Sequence, residues 1–468
     1  MSDHQNRYFL YFAVISVNLL AFSLAGAFSW GSPTLPKLTS SDAEINPLEA
    51  PITVFEEACV TSILFISSII GSTISIVIAE LLGRKKTLII MALPMLAGYA
   101  LMAFATKINL FYIARFMLGI TVGTVLSVLP SYVGEIAEDE NRGILGAVMG
   151  ISVAVGHLFT YAVGPFLSVK AFSLVQLVPL ILFYITFVPF VPESPYYLLA
   201  VDGKNRAEKC LKKLRGGEEI TVIQKELIYI EKCVKDSQAN KTHVKDMFKS
   251  RAFVKGLTIS VGLQALQQLS GIGAVLAYMQ TIFESSGSTI PSSVAPIPPA
   301  VVQIMSNIII IFLVDRLGRK PLLIISGLGN SLSLISLGTY FFLKNNEFDV
   351  DAIWWLPICS LIIFFFFFNM GFASLPWTIS GEIFSPNVKS LGSSISSCSC
   401  LITVFLVTLV FPYISIILDM SGSFWLFSGF TLLSVIFVVL VLPETKGISN
   451  LEIQKILGGG NSRNEYVK

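Results

Sequence analysis

Charge is scarce in this chain. Asp, Glu, Lys and Arg make up 13% of its 468 residues, hydrophobic residues make up 54%, and mean hydropathy is +0.75. A net charge of +2 points to no partner of opposite sign, and no nucleic-acid partner is expected. Cysteine is sparse too: of six, Cys59, Cys359, Cys398 and Cys400 fall in apolar runs, and Cys210 and Cys233 in a basic segment between runs. No pair faces an oxidising side, which argues against a disulfide framework, and buried or reduced thiols are expected instead of a metal site. The phosphate-cradling Gly-x-x-x-x-Gly-Lys-Ser/Thr and the metal-binding His-Glu-x-x-His are both missing, so no enzyme, cofactor or metal is expected. The first apolar run also lacks any charged residue between Arg7 and Lys37.

What fills the chain is apolar runs near the roughly 20 residues that a membrane-spanning helix needs. Twelve spans are predicted, at 8–29, 58–79, 87–106, 110–133, 143–166, 172–191, 253–282, 297–314, 321–343, 353–380, 390–412 and 423–442, and are numbered 1 to 12 below. The fold class is therefore all-α, a polytopic protein in the lipid bilayer. With the N-terminus placed inside, only Lys37, Lys107, Lys170 and Lys344 fall in outer loops. Arg115 lies in span 4, and the remaining 27 of the 32 Lys and Arg fall on the cytoplasmic side. Both termini are thus expected in the cytoplasm, with the plasma membrane as the location. Ala25-Gly26-Ala27 looks like a signal-peptidase site, but cleavage there would delete span 1, so no signal peptide is expected. The sequon Asn240-Lys241-Thr242 should stay unused on the cytoplasmic side. Pro33, Pro36, Pro47 and Pro51 are expected to keep the acidic loop after span 1 from continuing as helix.

Three signatures recur. Gly83-Arg84-Lys85-Lys86 after span 2 returns as Gly318-Arg319-Lys320 after span 8. Gly134-Glu135, with Arg142 beyond it, returns as Gly381-Glu382 with Lys389, and Pro192-Glu193-Ser194-Pro195 returns as Pro443-Glu444-Thr445-Lys446. Matches in the same order at offsets of about 235 to 251 imply two homologous halves of six helices. The halves are 1–195 and 252–443, joined by a cytoplasmic linker over 196–251 and followed by a tail over 444–468. The linker holds thirteen Lys and Arg against eight acids, and Leu211, Leu214, Ile223, Leu227 and Ile230 recur at helical spacing, so short amphipathic helices are expected there.

All the recurring signatures fall at the cytoplasmic end. Acids (Glu135, Glu193, Asp315, Glu382, Glu444) meet bases (Arg84, Arg142, Arg316, Arg319, Lys389) around Gly83 and its counterpart, an arrangement that can pair when an inner mouth is shut and separate when it opens. Within the membrane the polar inventory is short. Gln264, Gln267 and Gln268 stand at i, i+3 and i+4 and share one helix face in span 7; Gln303, Asn307 and Asn369 add amides from spans 8 and 10. An amide offers a donor and an acceptor together, as a hydroxyl does, so a neutral polyhydroxylated substrate fits better than an ion. Trp377, after Gly371 and Pro376, offers an aromatic face or an interfacial anchor. His157 is either a proton relay or a packed neutral side chain. Arg115, near the outer end of span 4, is expected to snorkel and pack.

These motifs resemble the sugar porter branch of the major facilitator superfamily, and the resemblance runs from span 1 to Glu452. Gly83-Arg84-Lys85, Arg115-Phe116-x-x-Gly119, Pro130-x-Tyr132-x-Gly134-Glu135 with Arg142-Gly143, Gln267-Gln268-Leu269-Ser270-Gly271, Asp315-Arg316-x-Gly318-Arg319-Lys320 and Pro376-Trp377 with Gly381-Glu382 carry it, together with both Pro-Glu stretches. Pro192 to Tyr197 is similar to the insect facilitated trehalose transporters. The resemblance implies that Gln264, Gln267 and Gln268 bind sugar hydroxyls, with Gln303 at an amide position of span 8, and that Trp377 stacks on the sugar. It also implies that the cytoplasmic charges latch one state, with a monomer sufficient for transport. The chain departs from the family at Gly150, Gly273 and Cys400, where amides are usual, and at Leu81 and Tyr196, where arginines are usual. Fewer amides and smaller side chains imply fewer hydrogen bonds and more room, which argues against tight glucose binding and admits a disaccharide or another polyol; the sugar expected is a hexose or trehalose. Proton-coupled members carry an Asp in span 1, and this chain has none, so uniport is expected over symport. A non-transporting sugar receptor and a carrier of a non-sugar solute are the other readings.

Overall fold

The computed structural model describes residues 8–138, 140–201, 203–216, 220–239, 248, 250–287, 289–446, 448 and 450–458, and for a few of these, Asp315 among them, the backbone alone. The sequon at 240–242 lies outside the described residues, as do Arg7 and Gly447. No strand occurs among the described residues, and twelve helices are long and apolar enough to cross a membrane. They follow the predicted order, with span 2 lengthened to Val54–Leu82 and span 11 to Leu391–Ile417.

Four spans are interrupted. Span 1 consists of Tyr8–Ser29 and Gly31–Leu38, span 6 of Val169–Val175 and Leu177–Phe190, span 7 of Arg251–Leu269 and Ile272–Ser286, and span 10 of Leu356–Met370 and Leu375–Ile383. Pro33 and Pro36 do not end the helix as expected. A new segment starts at Gly31, so Pro33 occupies a first-turn position where no intrahelical N–H bond is due, and Pro36 is carried inside a short helix.

The chain divides into two compact units, 1–240 and 241–468. In the first, span 1 packs on spans 5 and 6, span 4 on spans 2 and 3, and span 3 on span 6; in the second, span 7 packs on spans 11 and 12, span 10 on spans 8 and 9, and span 9 on span 12. The same pairings recur six spans on, so the sequence repeat is also a repeat of packing. Without a hydrophobic drive between helices in lipid, small residues set the closest approach. Spans 2 and 4 meet through Ser67, Ser68 and Gly71 on one side and Gly119 and Gly123 on the other. A Cβ at Gly123 would overlap the carbonyl oxygen of Ser68.

The linker forms helices Pro195–Val201, Lys204–Leu214 and Ile220–Ala239 within the first unit. Ala207, Leu211, Ile223, Leu227 and Ile230 build their small core. Buried Arg215 ties it to span 4, donating to the Ile136 carbonyl at 2.9 Å and, from Nε and Nη2, to both carboxylate oxygens of Glu226 at 3.1 and 2.5 Å. Composition hides this residue among the linker's other bases. Cys210 donates to the Glu193 carbonyl, and burial pushes its thiol up to about 12, so it stays protonated.

Candidate functional site

The interruption of span 7 begins in its own sequence. Gly271 adopts φ 84°, a left-handed conformation that stops the helix after Leu269, and Ser270 turns its hydroxyl back to the Gln267 carbonyl at 2.6 Å. A Cβ at Gly271 would also strike the ring of Phe427. The three glutamines therefore occupy the last turns before a break, where backbone groups lose their helical partners.

Each glutamine has a different setting. Gln267 donates from Nε2 to the carbonyl oxygens of Phe372 at 2.6 Å and Ala373 at 3.4 Å, the bare acceptors in the gap of span 10; its own Oε1 is buried with no partner among the described residues. One side chain thus joins two helix breaks. Gln268 donates to Sγ of Cys400 at 3.2 Å, and Gln264 is fully buried with neither amide atom partnered among the described residues. Leaving such groups unpaired costs about 1–3 kcal/mol each, so orphaned amides on one face mark a place built for hydrogen-bonding work. The span 10 gap is held from behind by Ser326, which donates to the Phe367 carbonyl at 2.7 Å and accepts from Phe372 N at 3.2 Å.

Of the other predicted site residues, Gln303 and Asn369 are buried and Trp377 is half-buried in the first turn after the gap. Asn307 links the first two, donating to the Gln303 carbonyl at 2.9 Å and to Asn369 Oδ1 at 3.3 Å. Its place four residues after Gln303 is the sequence signal for that role. Two expectations in the first unit need revision or sharpening. Arg115 does not snorkel: it is 1% exposed, donates to the carbonyls of Ala27 at 2.6 Å and Val60 at 2.9 Å, and lies 5.3 Å from the Trp30 ring. Backbone carbonyls in the bundle satisfy it, so it packs without reaching water. His157 is buried beside Tyr161, with ring centroids 6.4 Å apart.

The paired signatures close inside each unit. Glu135 accepts from Arg84 Nε at 3.1 Å and Nη2 at 3.0 Å and from the Ser194 hydroxyl; Glu382 accepts from Arg319 at 3.3 and 2.9 Å and from the Thr445 hydroxyl at 2.7 Å. Glu193 caps span 3 by accepting from Lys85 N at 2.9 Å, and Glu444 caps span 9 by accepting from the N–H groups of Arg319 and Lys320 at 3.1 and 3.0 Å. Lys85 and Lys320 each reach on to carbonyls at the end of spans 6 and 12, Val188 and Val439. Burial acts to raise the Glu444 carboxyl, yet the backbone N–H groups of Lys446, Arg319, Lys320 and Thr445 together outweigh it and hold the group below its ordinary 4.5. Gly83 and Gly318 match as well, with φ of 94° and 89°. Arg142 instead lines a cavity of about 260 Å³ with Glu138, Tyr196 and Arg215. Arg316 and Lys389 are exposed and form no ion pair with a described carboxylate. Asp315 sits just beyond span 8, in the last turn of its helix Ile297–Leu317.

Two half-spans broken at their centres, an amide face between them and a duplicated ion cluster make a carrier's layout. Comparison with known proteins agrees, because the profile of the sugar (and other) transporter family matches residues 30–457. The chain belongs to that family. Its relatives include a facilitated trehalose transporter Tret1 of Culex quinquefasciatus, 32% identical over 450 residues that cover 96% of this chain and 85% of that one. Another is the Tret1 of Bombyx mori, 33% identical over 88% of this chain and 81% of the relative. Against the Tret1 of Anopheles gambiae, also 32% identical, the chain spans 56% of the relative's length. Among solved structures, the inward open xylose transporter XylE from E. coli superposes with TM-score 0.79 at 22% identity, covering 96% of this chain and 99% of that one. At that identity the likeness shows the fold, which is the twelve-helix major facilitator fold. The transporter's relatives are carriers by name, and it is not an enzyme.

In this sugar transporter the departure at Gly273 does not leave the expected room. Val404 Cγ2 lies 2.5 Å from where a Cβ at Gly273 would stand, so span 11 fills the volume.

Proposed function

We propose that this chain carries a neutral sugar across the plasma membrane by facilitated diffusion, its two halves alternating around a site built on Gln264, Gln267, Gln268, Gln303, Asn369 and Trp377. The observation that carries the reading is Gln267, whose amide nitrogen ties the breaks of spans 7 and 10 while its oxygen and both amide atoms of Gln264 stay buried and unpartnered among the described residues. Buried amides of this kind can exchange hydrogen bonds with hydroxyls at little net cost. The relatives' names support trehalose as the sugar, and a hexose is the other candidate. The charge clusters act as the cytoplasmic gate: each clamps the ends of spans 3 and 4, or 9 and 10, to the segment after the sixth span of its half, biasing one state without being consumed. The 27 basic residues on one side favour both termini in the cytoplasm.

Uniport is favoured over proton symport because span 1 has no acid. Uptake of labelled glucose, trehalose and a polyol in oocytes tests both points. Saturable uptake of at least one sugar, nearly unchanged by outside pH, is expected. A strong rise on acidification would replace uniport by symport through His157, and uptake of none of them would remove the sugar assignment.

A further inference from the structure

Arg142 opens span 5 and lines two cavities at the linker end of the first unit. One, of about 200 Å³, lies between spans 4 and 5 and is walled by Leu129, Val133, Leu145 and Met149 with Gly134 and Gly146; Arg142 is the one charged residue on its lining. Its glycines differ from those that let spans 2 and 4 approach. Gly134 and Gly146, like Gly143 beside them, lie inside helices without positive φ, and nothing stands within 4 Å of a would-be Cβ at any of the three. Neither backbone nor packing calls for glycine there, and glycine weakens a helix interior, so the missing side chains keep volume open. The other cavity, of about 260 Å³, lies between the segment after span 4 and the linker helices, and its charge is mixed. Arg215 is paired with Glu226 at 3.1 and 2.5 Å, which leaves the carboxylates of Glu138 and Glu140 against Arg142, with the phenol rings of Tyr196 and Tyr229 on the same lining. A plain anion would meet the carboxylates there, and a plain cation the guanidinium. A zwitterion places each of its charges against the opposite one.

We propose that the two cavities form one site for a single-chain zwitterionic phospholipid, a lysophosphatidylcholine. Its acyl chain enters the apolar cavity between spans 4 and 5, where there is room for one chain. Its phosphate sits on Arg142 at the N-terminus of span 5, where the guanidinium and the helix dipole both favour an anion. Its quaternary ammonium enters the polar cavity, among the Glu138 and Glu140 carboxylates and the rings of Tyr196 and Tyr229, groups that attract such a cation. The bound lipid joins the linker helix Ile220–Ala239 to the ends of spans 4 and 5 and so staples the linker to the first half.

The test is melting of the purified full chain in maltoside detergent with palmitoyl lysophosphatidylcholine, palmitoyl lysophosphatidylglycerol or glycerophosphocholine added, alongside binding of the radiolabelled lipids. Lysophosphatidylcholine is expected to raise the melting temperature saturably and to bind about tenfold tighter than lysophosphatidylglycerol, which has the same chain and phosphate but no ammonium. Glycerophosphocholine, which has no chain, should produce no shift at the same concentrations. Gly146→Leu, whose side chain has room to fill the apolar cavity, should keep its lipid-free melting temperature and lose lipid binding. Tyr229→Ala, at a position 54% exposed, should weaken lysophosphatidylcholine alone. Equal binding of the two lipids would overturn the ammonium pocket, and an equal shift from glycerophosphocholine would overturn the lipid in favour of a free headgroup. Undiminished binding to a folded Gly146→Leu would reduce the lipid to a detergent-like coat and overturn the site. If that variant fails to fold, Tyr229→Ala decides: unchanged preference between the two lipids overturns the proposal. None of these readouts depends on transport.

Discussion

Gln267→Ala is expected to cut sugar uptake by on the order of 100-fold while the protein still reaches the cell surface. Alanine removes the amide that donates to Phe372 and Ala373, baring two carbonyls in the gap of span 10, and it removes the buried Oε1 offered to a substrate hydroxyl. Each unpaired buried group costs about 1–3 kcal/mol, and tenfold in rate corresponds to about 1.36 kcal/mol, so two such losses account for the effect. Folding is less exposed, because Ser326 holds the same gap from span 9 and the remaining packing is untouched. Gln267→Glu separates the roles: it keeps the shape but loses the donor, and should also fail. Surface biotinylation alongside uptake reads the two effects apart. Normal uptake by Gln267→Ala would remove this residue from the site.

Gly123→Ala should be the most damaging single-methyl change in the first half. The added carbon would overlap the Ser68 carbonyl and crowd the Ser72 nitrogen, which are backbone atoms that no rotamer change can move. Overpacking a dense interior typically costs about 1–3 kcal/mol, and here spans 2 and 4 must part along a crossing that Gly71 and Gly119 also serve. Gly429→Ala is the matched control: nothing lies within 4 Å of its would-be Cβ, and alanine is the better helix former. Melting of the purified variants should show a drop for the first and none for the second. Equal melting temperatures would mean that the crossing is looser than its geometry.

The fold was largely legible because the bilayer leaves few options. Runs of about 20 apolar residues can only be helices there, and the recurrence of Gly83-Arg84 at Gly318-Arg319 and of Pro192-Glu193 at Pro443-Glu444 marked the halves. The glutamine face was visible because i, i+3 and i+4 spacing fixes a shared side without any tertiary information. What those amides touch was not visible. That Gln267 serves the gap of span 10 depends on a neighbour more than 100 residues away, and that Val404 fills the space beside Gly273 depends on how spans 7 and 11 approach. Arg115 illustrates the same limit: sequence depth suggested a snorkelling side chain, while carbonyls of Ala27 and Val60 offered partners that only packing creates. The ion clusters were recognised as a set, but their closure within each half, Arg84 with Glu135 and Arg319 with Glu382, belongs to the structure.

Passive exchange of sugar by alternating access is tested most directly by counterflow. Purified full-length protein is reconstituted into liposomes loaded with unlabelled trehalose or glucose, with no ion gradient and no membrane potential, and labelled sugar is supplied outside. The expected result is a transient overshoot of labelled sugar, equal at two symmetrical pH values and absent from the Gln267→Ala variant. Labelled sugar that never rises above its outside concentration in wild-type vesicles, or that does so only when a proton gradient is imposed, would contradict it.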